Sequence, residues 1–238
     1  MFRYLCFLTV LMGARSSSVP MFIKPCKTSD MACILASAQE AVPFFTVGIP
    51  ELGVQPLDPM NLDFVKGDQG GLSLTFKNST VKGMKECIVE NIKHDLQDGL
   101  QVLVTRCSVN MTGHYKLNGR LLVLPIRGEG KYNIKIRNIV LKTTTKIVPV
   151  QGDDGKEHWH IAEWNFTSDV KNGASFDFHN LFNGNKFLAI PVERFVNANW
   201  KEVMHEIAPP IVKAIVGRVV EAVEALFKAV PAEQLQIL

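Results

Sequence analysis

The sequence predicts an α+β protein in which a long C-terminal helix is wrapped by a highly curved antiparallel sheet. Residues 199–230 are apolar around most of a helical circumference, whereas a surface helix hides a stripe of roughly 100°. Residues 62–182 carry apolar side chains at alternate positions, which is typical of antiparallel strands packed on one face. Because strand–helix–strand alternation is missing, a doubly wound parallel sheet is not predicted.

Composition limits the class of protein further. The 238 residues are 47% hydrophobic and 21% charged, which is an ordinary globular balance. The net charge of +3 is too small and too dispersed for a nucleic-acid partner. Because no repeat or linker interrupts the pattern, residues 19–238 are predicted to form a single domain, and we expect a monomer.

Residues 1–18 are predicted to be a secretory signal peptide. Arg3 supplies the positive charge, residues 4–12 form a short apolar run, and small residues follow where a peptidase cuts. The run is too short to span a bilayer, which takes about 20 apolar residues; a buried N-terminal strand is the alternative. Three acceptor sequons, at Asn78, Asn110 and Asn165, also favour a secreted, extracellular glycoprotein.

Four cysteines remain after the signal peptide: Cys26, Cys33, Cys87 and Cys107. An even number in an oxidising compartment predicts two disulfides. Cys26 and Cys33 are close in sequence and would staple the entry of the first helix. Cys87 and Cys107 bracket a turn at Asp98-Gly99 and should face each other on adjacent antiparallel strands. A four-cysteine metal site is the alternative, but the sequence lacks the Cys-x-x-Cys spacing.

The first structural element after the signal peptide is a short helix. Residues 30–42 have an amphipathic pattern, and Pro43 is predicted to end it. Phe44 and Phe45 continue as an apolar cluster. Residues 48–59 are rich in proline and glycine and are too apolar for a free linker, so we expect them to lie flat on one end of the protein.

The strands that follow have one apolar and one polar face. Turns at Asp98-Gly99 and Asp154-Gly155 join strands into hairpins. The side chains predicted to share the apolar face are Leu62, Phe64, Leu72, Leu74, Phe76, Ile88, Leu100, Val102, Val104, Tyr132, Ile134, Ile136, Phe176 and Phe178.

The C-terminal segment is predicted to be helical beyond Phe195. Asn197 or Asn199 is a suitable N-cap, and Pro209-Pro210 is predicted to kink or break the helix. Polar residues then recur every three or four positions along one narrow stripe, at Lys213, Gly217, Glu221, Glu224 and Lys228.

Candidate catalytic and metal-binding residues form no convincing set. His158 and His160 share one face of a strand and are a candidate metal pair, but they follow a charged hairpin tip, and an exposed strand end is the simpler interpretation. Ser108 and Ser175 lack the Gly-x-Ser-x-Gly context. Gly128 and Gly130 precede a strand rather than a helix, which argues against a phosphate site. We therefore predict no catalytic activity, no cofactor and no metal.

Several motifs resemble the insect takeout and juvenile-hormone-binding protein family. They are the segment from Cys26 to Cys33, residues 48–59 (GIPELGVQPLDP), 113–115 (GHY), 121–130 (LLVLPIRGEG), 180–184 (NLFNG) and 197–200 (NANW), in the family's order. The resemblance implies a secreted haemolymph carrier whose curved sheet and long helix enclose a hydrophobic tunnel, a fold related to bactericidal permeability-increasing and lipid-transfer modules. The implied ligands are juvenile hormone, other terpenoids and fatty-acid-like molecules. The family shares the N-terminal cysteine pair, whereas the pair Cys87 and Cys107 departs from its usual pattern.

Ligand-binding residues are predicted from the inward faces of these elements, and plain core packing is the alternative for each. The hydroxyl of Tyr132 needs a partner on the apolar face, and a ligand oxygen is the predicted one. The predicted lining residues are Phe64, Leu74, Phe76, Tyr132, Ile134, Ile136, Val203, Ile207, Ile211 and Ile215, with Phe44, Phe45 and Phe182 closing the ends.

Two other functions remain as alternatives. One is a secreted interaction or signalling protein whose core is packed solid, because protein interiors normally reach high density. The other is a membrane-surface lipid-binding protein that uses residues 211–230 as an interfacial helix. We expect the carrier function, with membrane contact as a secondary possibility.

Overall fold

The computed structural model describes residues 22–95 and 98–237, so the predicted signal peptide lies outside the described residues. Short 3₁₀ turns occur at Pro50–Leu52, Met84–Glu86 and Phe182–Gly184. The helices and strands in chain order are β1 (Cys26–Lys27), α1 (Met31–Val47), β2 (Met60–Gln69), β3 (Leu72–Lys82), β4 (Ile88–Asp95), β5 (Leu100–Leu121), β6 (Leu124–Gln151), β7 (Glu157–Val170), β8 (Ala174–Phe178), α2 (Lys186–Ala198), α3 (Trp200–Ala229), α4 (Ala232–Leu235) and β9 (Gln236–Ile237).

One large antiparallel sheet has the strand order β2-β3-β5-β6-β7, with β4 beside β5 and β8 beside β6. The two central strands are long, with 22 residues in β5 and 28 in β6. Along β5, residues 110–119 pair with β3 and residues 100–106 pair with β4. Along β6, residues 132–136 pair with β8 and residues 139–151 pair with β7.

The long strands therefore give the molecule two ends. The β3/β8 end consists of β2, β3, β8, residues 110–121 of β5 and residues 124–136 of β6. The β4/β7 end consists of β4, β7, residues 100–107 of β5 and residues 139–151 of β6. The sheet is curved but is not closed into a barrel, which confirms the predicted fold class.

The helix α3 packs along the inner face of the sheet across both ends. Its buried residues include Val203, Ile207, Ile211 and Ile215, which pack in the main core with strands of the sheet. Pro210 approaches β2 so closely that a Cβ at Gly67 would lie 2.7 Å from its Cγ atom. Along the predicted polar stripe, Lys213, Glu221 and Lys228 are exposed, whereas Gly217 and Glu224 are half-buried and lie against β7, where Glu224 accepts from the backbone N–H of Ile161.

Burial of α3 corrects the membrane-surface alternative. The apolar side chains of residues 211–230 that were assigned to an interfacial helix face the sheet, α1 and the C-terminal segment. A helix whose apolar face is already covered has none left for a bilayer.

Three features of the helices differ from the predictions. Pro43 lies within α1 instead of ending it, and Pro209 and Pro210 lie within one unbroken α3, because packing of a helix outweighs the loss of single backbone hydrogen bonds; the break at Pro209-Pro210 is therefore wrong, and the kink stays a prediction. The helix α2 was not predicted; Asn185 caps it by accepting from the backbone N–H groups of Phe187 and Leu188. Asn199 occupies the cap position of α3, but its side chain donates to the carbonyl of Phe195 instead.

Both predicted disulfides are present. The Cys26–Cys33 bond joins the segment before α1 to its first turn, and the Cys87–Cys107 bond joins the two strands of the β4–β5 hairpin. Cys26 also lies in β1, which pairs in parallel with β9, so the N-terminal and C-terminal segments lie side by side.

The alternation was read in the wrong phase at three places, one of which is Ile88 of β4, which is 54% exposed while its neighbour Val89 is buried. Asn78 has a φ of 47°, which interrupts the alternation of β3, so Phe76 and Ser79 are both buried. The partner strand β2 follows with Leu62 and Val65 inside, and Phe64 points outward with 57% of its surface exposed.

The third phase error lies on β5. Leu100, Val102 and Val104 were assigned to the inner face, but Gln101, Leu103 and Thr105 line the interior. Because β5 is one continuous strand, the buried residues Cys107, Val109 and Met111 set its phase.

Candidate ligand-binding cavity

A cavity of about 370 Å³ lies inside the β4/β7 end. Its walls are α1, the inner faces of β4, β5, β6 and β7, and the C-terminal half of α3. Most of the side chains around it are aliphatic, and they include Ile34, Val42, Ile92, Leu103 and Leu226. The alternative of a core packed solid is therefore wrong at this end of the molecule.

The helix α1 forms one wall and is fixed at both its start and its middle. Asp30 caps it by accepting from the backbone N–H of Cys33 at 3.0 Å, next to the first disulfide. Gln39 ties it to the sheet, because its Oε1 atom accepts from the N–H of Val89 at 2.7 Å and its amide donates to the carbonyl of Cys87.

The opposite wall is the C-terminal half of α3. It presents Val216, Val219, Val220 and Val223 to the cavity. Beta-branched side chains are short and stiff, so they leave space where longer side chains would fill it. The spacing of three and four residues places them on one side of the helix.

The hairpin of β6 and β7 holds the end of α3 at the edge of the cavity. The ring of Trp159 meets that of Phe227 edge-on at 5.3 Å, and both line the cavity. His158 is buried, with Nδ1 at 2.9 Å from the carbonyl oxygen of Phe227 and Nε2 at 3.1 Å from Asp154. The interpretation of both histidines as an exposed strand end is therefore wrong for His158, whereas His160 is exposed and pairs with Glu224 at 2.6 Å.

A smaller space of about 30 Å³ lies beside the N-terminal half of α3, between Met204 and Ile215. Four side chains border both spaces: Met84, Cys107, Leu141 and Ile215. We call these four residues the septum. The chamber and the small void are therefore neighbours inside the protein, and the single tunnel expected from the sequence stays a prediction.

Residues 4–236 match the model of the family described as haemolymph juvenile hormone binding protein (JHBP). The chain belongs to the JHBP family. The family is one of proteins that bind lipophilic ligands rather than of enzymes.

Individual relatives agree with the family assignment. The crystal structure of Epiphyas postvittana Takeout 1 superposes on this JHBP-family chain with a TM-score of 0.87 and 31% identity, covering 91% of this chain and 100% of that one. The circadian clock-controlled protein daywake of Drosophila melanogaster is 28% identical over 231 residues, which is 92% of this chain and 88% of daywake. The juvenile hormone-binding protein of Manduca sexta is 30% identical over 91 residues, covering 37% of this chain and 40% of that protein. A putative beta-carotene-binding protein of Schistocerca gregaria is 20% identical over 207 residues, covering 85% and 82%.

In this JHBP-family protein, the predicted lining residues fall into separate groups. Ile134, Ile136, Ile207 and Ile211 border the small void, Phe45 borders the chamber, and Ile215 borders both. Leu74, Phe76, Tyr132 and Val203 are buried in the core and do not border the chamber. Phe182 is half-buried against that core, and Phe44 is 46% exposed and stacks on Phe22 at 4.3 Å.

Tyr132 already has a protein partner for its hydroxyl. It donates to the Oγ atom of Ser79 at 2.7 Å, and its ring lies 4.7 Å from that of Phe76. Burial raises the pKa of Tyr132 to about 12, with the hydrogen bond to Ser79 acting in the opposite direction. The prediction that a ligand oxygen is the partner of this hydroxyl is corrected, because Ser79 occupies that role.

Sequence reasoning missed the polar residues of the chamber. His94, Gln101, Thr105, Thr143 and Thr145 all line it. They were overlooked because the search followed apolar side chains at alternate positions. The phase of β5, counted back from Cys107, is the signal that identifies Gln101 and Thr105.

The three sequons lie in different environments. Asn78 and Asn165 are exposed, whereas Asn110 lies within β5 and its Oδ1 atom is buried without a hydrogen-bond partner among the described residues. None of the helices in the described residues is long and apolar enough to cross a membrane.

Proposed function

We propose that this JHBP-family protein is a secreted, extracellular carrier that holds one small lipophilic molecule in the chamber of the β4/β7 end. The ligand class is juvenile hormone, another terpenoid or a fatty-acid-like molecule, and no catalysis is involved. The observation that carries the proposal is the chamber of about 370 Å³ with mainly aliphatic walls. Sites for small molecules are typically clefts of about 300–1,000 Å³ with few polar groups.

The hydrophobic effect supplies the affinity for such a ligand. Each methylene removed from water contributes about 0.8 kcal/mol before the cost of association is subtracted. An apolar cavity of about 150 Å³ already stays dry and binds benzene, so the larger chamber here is large enough for a longer hydrocarbon.

The relatives support the same class of ligand. One is named as a binding protein for juvenile hormone and another as a putative binding protein for beta-carotene, both of which are lipophilic. We propose secretion with removal of residues 1–18, a monomeric carrier, and glycosylation at the exposed sequons Asn78 and Asn165.

The test is native mass spectrometry of the protein purified from a secreting insect-cell culture, followed by extraction of bound lipid. The variant Thr143→Phe places a large aromatic ring in the chamber, because Thr143 lines it from β6. The control is Thr144→Phe, which adds the same side chain at the next position, on the opposite face of the strand.

We expect lipid with the wild type and with Thr144→Phe, and at least a tenfold lower lipid occupancy with Thr143→Phe. Thermal unfolding confirms that both variants are folded. Wild-type protein that carries no lipid and takes up none when offered fatty-acid esters or terpenoids contradicts the proposal and favours an interaction protein.

A further inference from the structure

Three polar side chains form one row across the floor of the chamber. His94 of β4 pairs directly with Gln101 of β5, and Gln101 pairs with Thr145 of β6. All three are half-buried and line the chamber. We call His94, Gln101 and Thr145 the polar row.

The polar row has unused hydrogen-bonding capacity. Within residues 22–95 and 98–237, none of its three side chains has a hydrogen-bond partner in the protein. Polar groups that face an apolar space without a partner are costly. A ligand atom that accepts or donates hydrogen bonds is therefore stabilised here more than anywhere along the aliphatic walls.

The position of the row also sets the orientation of a ligand. Thr145 is four residues along β6 from Leu141 of the septum, which corresponds to about 13 Å in a strand. The intervening residues on the inner face include Leu103 and Thr143, which are paired neighbours. The chamber is thus polar near the β4–β5 turn and apolar at the opposite side, where the septum residues border it.

We propose that the polar row binds the neutral, oxygen-bearing end of an elongated lipid, such as an ester, carbonyl or hydroxyl group, while the hydrocarbon tail points toward the septum. This inference rests on the proposed carrier function and names the part of the chamber that selects the ligand.

The charges around the chamber favour a neutral head group over a carboxylate. The polar row contains no lysine or arginine. Lys24 is the only lysine or arginine among the described lining residues, and its Nζ atom is 2.8 Å from Glu40, so its charge is already paired. Burial lowers the pKa of His94 although Asp95 acts against it, which favours a neutral imidazole. A buried carboxylate would have no cation to compensate its loss of hydration.

The experiment compares three probes with hydrocarbon portions of similar length: methyl dodecanoate, dodecanoic acid and tridecane. Each is titrated against delipidated full-length secreted protein by displacement of a fluorescent fatty probe. The test variant combines His94→Leu, Gln101→Leu and Thr145→Val. The matched control is Thr144→Val, which removes a hydroxyl from the same strand on the face opposite Thr145, away from the chamber.

We expect the wild type and the Thr144→Val control to bind methyl dodecanoate about tenfold more tightly than tridecane, and more tightly than dodecanoic acid. In the triple variant the preference for the ester over the hydrocarbon falls to less than twofold, while affinity for tridecane is kept. If the triple variant does not fold, the single variant Gln101→Leu is tested in its place. Its preference for methyl dodecanoate over tridecane is expected to be threefold lower than that of the wild type.

Other outcomes separate this inference from the carrier proposal. Equal binding of ester and hydrocarbon by the wild type, a preference that survives the triple substitution, or tighter binding of the acid than of the ester overturns the role of the polar row and leaves the carrier function in place. Binding of none of the three probes, together with no displacement by terpenoids, contradicts the carrier function itself.

Discussion

The β3/β8 end and the β4/β7 end share the same two long strands and the same helix, yet the first borders only a void of about 30 Å³ and the second holds a chamber of about 370 Å³. At the β3/β8 end aromatic rings meet across the interior, with Phe76 and Tyr132 at 4.7 Å and Tyr115 and Phe178 at 4.8 Å. At the β4/β7 end the inner positions of β5 and β6 carry Leu103, Thr105, Thr143 and Thr145 (among others). The size of the inner side chains therefore decides at which end of the molecule the chamber lies.

Polar groups show the same contrast. At the β3/β8 end Tyr132 donates to Ser79, and Tyr115 donates to the carbonyl of His179 at 2.8 Å. Burial raises the pKa of Tyr115 well above its usual value, so its hydroxyl stays protonated and remains a donor. The polar row of the β4/β7 end lacks such partners among the described residues. One end therefore serves as scaffold, and the other is available to a ligand.

The largest expected effect is a difference in stability between the two ends when one inner side chain of each end is truncated to alanine. Phe76→Ala should lower the free energy of unfolding by about 3–5 kcal/mol, because the ring is almost fully buried and leaves a cavity. Leu103→Ala should cost about 1–2 kcal/mol, below the usual range for a buried leucine, because its side chain already borders an empty space. Urea unfolding of the delipidated variants measures both. Equal losses at the two positions would show that the ends are packed alike.

A smaller effect is expected for the hydroxyl of Tyr132. Tyr132→Phe should lower the free energy of unfolding by about 1–2 kcal/mol, because Ser79 is buried and loses its partner. Affinity for lipid should be unchanged, since this residue does not border the chamber. Adding Ser79→Ala should recover part of the stability, because removing both partners leaves no unsatisfied group. A loss of affinity without a loss of stability would return Tyr132 to the ligand site.

The smallest effect concerns pH and His94. Because burial lowers its pKa in the folded protein below the usual 6.5, the unfolded chain binds the proton first as the pH falls. The stabilising contribution of neutral His94 to the free energy of unfolding is therefore complete above pH 6.5. It declines as the pH drops from 6.5 toward the lower pKa of His94 in the folded state. We expect the delipidated wild type to lose slightly more stability than His94→Gln between pH 7 and pH 5. The other histidines are common to both proteins, so their effects on stability cancel when the two pH profiles are subtracted. Identical pH profiles would therefore contradict the prediction.

The sequence predicted the architecture better than the site. The apolar circumference of α3, the alternation of β3 and β8, and the spacing of Cys87 and Cys107 around a turn are strong local signals, and they led to the correct fold and disulfides. The helix α2 was missed because its start depends on the cap at Asn185 rather than on a long apolar pattern.

The chamber was harder to locate because a cavity is defined by what is not filled. The cleanest alternation, at Phe76 and Tyr132, marks buried residues whose rings are in contact and that do not border the chamber, since large apolar side chains at inner positions exclude space. The chamber lies where threonine, glutamine and histidine interrupt the pattern. Predicting it would require the volume enclosed by the sheet, which depends on curvature and on contacts between distant segments.

The continuity of β5 and β6 through both ends has a consequence for how ligand preference changes among proteins of this shape. The chamber half of β5 and β6 has its own backbone pairing to β4 and β7, while Leu103, Thr105, Thr143 and Thr145 project into the chamber, so side-chain changes at these four positions are expected to alter its volume and polarity separately from the aromatic half. In the proposed carrier, one half of each strand thus belongs to the scaffold and the other half sets which molecule is held.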